Sequence, residues 1–106
     1  MDKVYIAGPM TGIENENREA FNGKALRILA SGDIPLNPAT LPAGLEQAEY
    51  MDICFAMIRA ANRLEFLPGW RSSAGAIAEF AYAKKLGLKI AIPFESGCNN
   101  NVQIEI

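Results

Sequence analysis

The 106 residues contain no histidine. That removes Ser-His-Asp and Cys-His catalysis and every histidine-based metal site. Acid–base chemistry is left to carboxylates, tyrosine, lysine or the ligand itself. Only two cysteines are present, Cys54 and Cys98. They are far apart, match no Cys-x-x-Cys spacing and make a poor disulfide framework. Cys54 sits in an apolar run and reads as a buried thiol. No apolar stretch approaches 18 residues, and Met1 to Lys3 lead directly into a strand pattern, so neither a membrane span nor a signal peptide is expected. The expected compartment is the reducing cytoplasm. Charge of one sign is also scarce, with a net −2 and no basic run beyond Lys84-Lys85. A nucleic-acid groove normally shows a basic stripe, so a polymeric nucleic acid is not the expected partner.

What is present is an ordinary globular composition, half hydrophobic and about a fifth charged. On size it makes one domain, residues 1–106. The run Val4 to Ala7 ends at Gly8-Pro9 and reads as a buried strand. Residues 13–17 offer N-caps. Phe21, Ala25, Ile28 and Leu29 recur at helical spacing until Gly32. A short strand follows at 34–36, then a Pro/Gly loop at 38–44 and a helix over 45–61, apolar on several sides. Residues 63–67 form a third strand. Residues 75–86 form the clearest helix, with Ile77, Phe80, Ala81 and Lys84 on one face. Residues 88–92 give a fourth strand, 96–101 a turn, and 102–106 an edge strand. Alternation of this kind predicts an α/β fold: a three-layer sandwich around a small parallel sheet of four to five strands with right-handed crossovers. A short chain with an over-apolar second helix predicts a homodimer or larger homo-oligomer through that helix.

In open α/β sheets ligands bind beyond the carboxyl ends of the strands. Three loops fall there. In Gly8-Pro9-Met10-Thr11-Gly12 the glycines admit a ligand close to the backbone, and Thr11 offers a hydroxyl; a plain turn is the other reading. Asn37 either contacts a ligand or makes an Asx-turn. The third loop, Leu67 to Ser73, runs into a helix. Ser72 and Ser73 occupy N-cap positions, Gly75 leaves the first turn uncovered, and the free N–H groups make an anion site. Glu79 lies about one turn in and can lean back over the opening. A carboxylate there suits attack on, or stabilisation of, positive charge at a sugar carbon. From spacing alone a solvated glutamate reads as well. Gly69 and Trp70 precede the serines; Trp70 is either a stacking platform for a base or a capping aromatic.

Two stretches, Tyr5-Ile6-Ala7-Gly8 and Leu67-Pro68-Gly69-Trp70 through Ser73, Gly75 and Glu79, resemble the nucleoside 2-deoxyribosyltransferase-like superfamily. The resemblance spans roughly residues 3 to 92 and is nearest to short phage and bacterial members. It implies a flavodoxin-like sheet and no cofactor or metal. Glu79 matches a nucleophile that forms a covalent (deoxy)ribosyl intermediate, passed to another base or to water. Tyr5 matches the tyrosine that orients it, and Gly8 to Thr11 match a sugar- or base-facing loop. Ser73 stands where nucleoside transferases carry aspartate and where deoxynucleoside 5′-monophosphate hydrolases carry a phosphate-binding serine. A nucleotide or nucleoside is therefore the implied partner. Relatives also carry an aspartate before strand three; Asp52 is the candidate proton donor, with Cys54 two positions on and Asn62 at another position where relatives have aspartate. Relatives complete the pocket with a neighbour's loop after strand four, which points to Ser96 and Asn99.

Overall fold

The computed structural model describes residues 1–93. The expectations for 96–101 and 102–106, including Ser96 and Asn99, lie outside the described residues. Strands β1 (Lys3–Ala7), β2 (Ile34–Leu36), β3 (Arg63–Phe66) and β4 (Lys89–Ala91) alternate with helices α1 (Arg18–Ala30), α2 (Gln47–Ala60) and α3 (Ala74–Leu86). The sheet order is β2-β1-β3-β4 and all three pairings are parallel. This is the flavodoxin-like order, in which the crossover direction reverses between β1 and β3. The expected α/β sandwich is thus found, with the bounds of the four strands, α2 and α3 within two residues of their expected places, and α1 beginning three residues before the first of its expected apolar positions, Phe21.

The central strand fixes the layers. Val4 and Ile6 point to one face, where Phe21 and Ile28 of α1 and Leu67 cover them. Tyr5 and Ala7 point to the other, against Cys54 and Ile58 of α2 and Ala76 and Ala83 of α3. All four of these β1 residues are fully buried, as a strand covered on both faces requires. The helices confirm their existence but not every expected face. In α3 the buried positions are Ala76, Glu79 and Ala83, while Ile77 is 48% exposed. This helix is apolar around most of its girth, so periodicity alone marks no inner side. Leu29 of α1 is likewise exposed.

Local chemistry sets the helix ends. Glu49 accepts from the Glu46 N–H at 2.8 Å, half of a reciprocal cap. Ser73 Oγ accepts from the Ala76 N–H at 3.1 Å, and Gly87 ends α3 with φ 76°. Ion pairs gather where the strands begin. Arg63 meets Asp2 at 2.8 Å, Glu65 at 3.0 Å and Asp33 at 3.4 Å, and Lys24 meets Glu65 at 3.1 Å. No helix among the described residues is long and apolar enough to cross a membrane.

Candidate active site

A cavity of about 150 Å³ opens at the carboxyl ends of β1 and β3, where the crossover direction reverses. Gly8, Met10 and Thr11 supply one wall from the loop after β1. Gly8 is required there by packing: a Cβ on it would stand 2.8 Å from Leu67 Cβ. Ser73, Gly75, Ala76 and Glu79 supply a second wall from the start of α3. Ser73 is the N-cap, and the Ile77 N–H bonds its carbonyl at 2.9 Å. The N–H groups of Ala74 and Gly75 therefore have no intrahelical acceptor. The third wall is α2, whose Gln47, Tyr50, Met51 and Cys54 recur at the spacing of one helical face.

Glu79 is only 6% exposed. Tyr5, fully buried on β1, donates its hydroxyl proton to Glu79 Oε2 at 2.8 Å. Burial pushes the Glu79 carboxyl up to about 7, against which the Tyr5 hydrogen bond pulls down. The same burial, with the Glu79 charge beside it, raises Tyr5. Cys54, 7% exposed, is raised by burial first and by Glu79 in addition, which keeps it a thiol rather than a nucleophilic thiolate. The solvated-glutamate alternative does not describe this residue.

The structure brings Gly8, Met10, Thr11, Ser73, Gly75 and Glu79 to one cavity, with Tyr5 behind Glu79. It does not bring Pro9, Asn37, Asp52, Gly69 or Trp70 to that wall. Asp52 is exposed because the cavity-facing stripe of α2 runs 47, 50, 51, 54, and position 52 lies off it. Trp70 is 5% exposed, stacked on Phe80 at 5.0 Å and packed 4.8 Å from Phe66. It is a core residue, so it offers no platform for a base. Asn37 makes the Asx-turn: its Oδ1 accepts from the Ala39 N–H at 3.0 Å, and its Nδ2 donates to Asn22. Pro9 is buried and its carbonyl accepts from Asn17 Nδ2 at 2.9 Å. Gly69, at φ 86°, starts the turn that carries Ser72.

Sequence reasoning missed Glu16, Arg18, Pro38, Leu41 and the α2 stripe. The stripe was readable, because its four positions share one helix face. Arg18 carried no such signal; its place depends on the turn before α1.

The model of a family described as domain of unknown function (DUF4406) matches residues 2–92. The chain belongs to that family. No curated protein matches it. Among solved structures it is similar to a 2-desoxiribosyltransferase from Leishmania mexicana, with a TM-score of 0.71 and 20% identity. That likeness covers 87% of this chain and 63% of the other, so the DUF4406 chain spans under two-thirds of that protein's length. The shared property at this identity is the fold, a nucleoside 2-deoxyribosyltransferase-like one.

Proposed function

We propose that this DUF4406 protein cleaves the N-glycosidic bond of a nucleoside or nucleotide, with Glu79 as nucleophile. One observation carries the reading. A carboxylate sits on the wall of the cavity at the sheet's switch point, almost wholly buried, with one oxygen held by a buried tyrosine. Isolated buried carboxylates are costly, and the site retains this one with a single orienting partner. Tyr5 fixes Oε2 and leaves Oε1 for the sugar. In the first step Oε1 bonds to C1′ and the C1′–N bond breaks, its electron pair leaving with the base. The base then takes a proton from solvent. In the second step water, or the nitrogen of another base, attacks C1′ and gives up a proton to solvent; the C1′–O bond to Glu79 breaks and the carboxylate is restored. Ser73 and the free N–H groups of Ala74 and Gly75 would hold a 5′-phosphate or a sugar hydroxyl. Gly8, Met10 and Thr11 would face the sugar.

The test is chromatographic. The protein is incubated with the 2′-deoxynucleosides and their 5′-monophosphates, and released base is measured. Glu79→Gln should abolish release and leave ligand affinity within about tenfold, because loss of a nucleophile acts on the transition state. Release at an unchanged rate in that variant would sink the proposal.

A second reading has its own observation. Asp52 lies off the cavity, and Cys54 occupies the α2 wall as a protonated thiol. A pocket whose α2 wall offers no carboxylic acid to protonate the base would suit a nucleotide-binding module without turnover. Ligand recovered intact after long incubation, with a raised melting temperature, would favour it.

A further inference from the structure

Among the described residues that line the cavity, Arg18 is the one cation, and the chain already supplies it with an anion. Arg18 Nη1 donates to the Ala39 carbonyl at 3.0 Å and Nη2 to Glu16 Oε1 at 2.8 Å. The two bonds differ in kind. The first braces the guanidinium on the turn Pro38–Thr40, where Ala39 is buried. The second reaches a carboxylate whose side chain is 54% exposed. Such a pair contributes almost nothing net in water.

The backbone that delivers Glu16 is unusual. Asn15, Glu16 and Asn17 have φ of 53°, 55° and 60°, three consecutive left-handed residues with no glycine among them. Each costs free energy in an L-residue, and a run of three persists only where its surroundings hold it. Among the described residues the holds include the Asn17 side chain on the Pro9 carbonyl, the Glu16 N–H on the Ile13 carbonyl at 2.8 Å, the Arg18 backbone N–H on the Asn15 carbonyl, and the Arg18 side-chain pair itself. The result is a carboxylate presented to a braced guanidinium at the wall of a cavity whose other wall is the positive end of α3. A guanidinium has five N–H donors, of which two are engaged among the described residues. Phosphate takes two at once, in parallel, and carries more charge than a carboxylate.

We propose that Arg18 is a phosphate-binding residue of this cavity and that Glu16 is its built-in counter-ion, displaced when a phosphate enters. The ligand class rests on the nucleotide reading above; the chemistry assigned to Glu79 is not needed. Displacement also releases the left-handed turn from one of its holds, so occupancy and the conformation of 15–17 are coupled.

The test is titration calorimetry at fixed ionic strength on the wild type, Glu16→Gln, Arg18→Gln and the double variant. The probes are inorganic phosphate, the 2′-deoxynucleosides and their 5′-monophosphates. Glu16→Gln should tighten monophosphate binding about two- to fivefold and leave nucleosides unchanged. Arg18→Gln should weaken monophosphates by about tenfold or more. With Arg18 gone, Glu16→Gln should change nothing. Tightening of inorganic phosphate as well supports a locus that reads the free ion; tightening of nucleotides alone supports one that needs the sugar seated first. An unchanged affinity in Glu16→Gln, or equal tightening with and without Arg18, overturns the proposal. Glu16 is exposed, so its variant carries the test even if Arg18→Gln folds poorly. Nucleotide binding with no Glu16 effect defeats this inference alone; no binding of any probe to any variant defeats the nucleotide reading with it.

Discussion

The group assigned the attack on the sugar is also one the fold carries at a cost, and the two roles can be measured on one variant. Burial raises the Glu79 carboxyl from 4.5 to about 7. Between those values the unfolded chain has released this proton while the native protein still holds it. Stability therefore falls as pH rises through the window, by about 3 kcal/mol in all. In Glu79→Gln that loss cannot occur. The amide brings its own fixed penalty if its N–H groups lack partners, but that penalty is the same at every pH. The informative quantity is how the stability difference between the two proteins changes with pH. The fluorescence of Trp70, the sole and buried tryptophan, reports unfolding in urea. From about pH 4.5 to about pH 8, the variant should gain about 3 kcal/mol on the wild type, a melting-temperature change on the order of 10 °C. Asp33 and Glu65, lowered by their own partners, titrate below this window and cancel in the comparison. Base release by the wild type should rise through about pH 7 and level off, because only the ionised form attacks. Parallel stability curves would refute the reasoning, since Glu79 would then ionise as an ordinary exposed carboxyl.

Tyr5→Phe removes the contact that holds the Glu79 carboxyl down, so the rising limb of the pH–rate profile should move to higher pH; an unmoved limb would separate Tyr5 from Glu79. Gly8→Ala forces a Cβ to within 2.8 Å of Leu67 Cβ, and chemical denaturation should show a loss of about 1–3 kcal/mol from overpacking. Ser73→Asp places a carboxylate at the positive end of α3 and should erase most of the preference for a 5′-monophosphate over its nucleoside, a preference expected at roughly 10- to 1000-fold. Equal binding of both ligands by the wild type would remove the phosphate from that cradle.

Much of this was legible in the amino-acid order because the deciding forces are local. Gly8-Pro9 and Pro68-Gly69 stop strands, and Ser73 caps a helix, wherever they occur. The cradle and Glu79 followed from spacing within one helix. What escaped was set by long-range contacts. Trp70 reads as a surface ring until Phe66 and Phe80 enclose it. Asp52 and Cys54 differ by two positions, and the rotation of α2 against the sheet decides which of them faces the cavity. Arg18 enters the site through three left-handed residues that an Asn-Glu-Asn stretch permits but does not announce.

The central place of β1 has a consequence for the order in which the protein is made. Its four buried residues leave the ribosome before every other strand of the sheet, yet the partner that completes their ladder, Arg63 to Phe66, lies about 60 residues later. At roughly 5–20 residues per second, that interval lasts about 3–12 s. Throughout it this wholly apolar strand core has at best the three-residue β2 beside it. Such an unpaired apolar edge invites pairing with other chains. The step that ends the exposure is the arrival of β3, so substitutions that weaken β3 should lower the yield of folded protein during synthesis more than their effect on the finished fold would suggest.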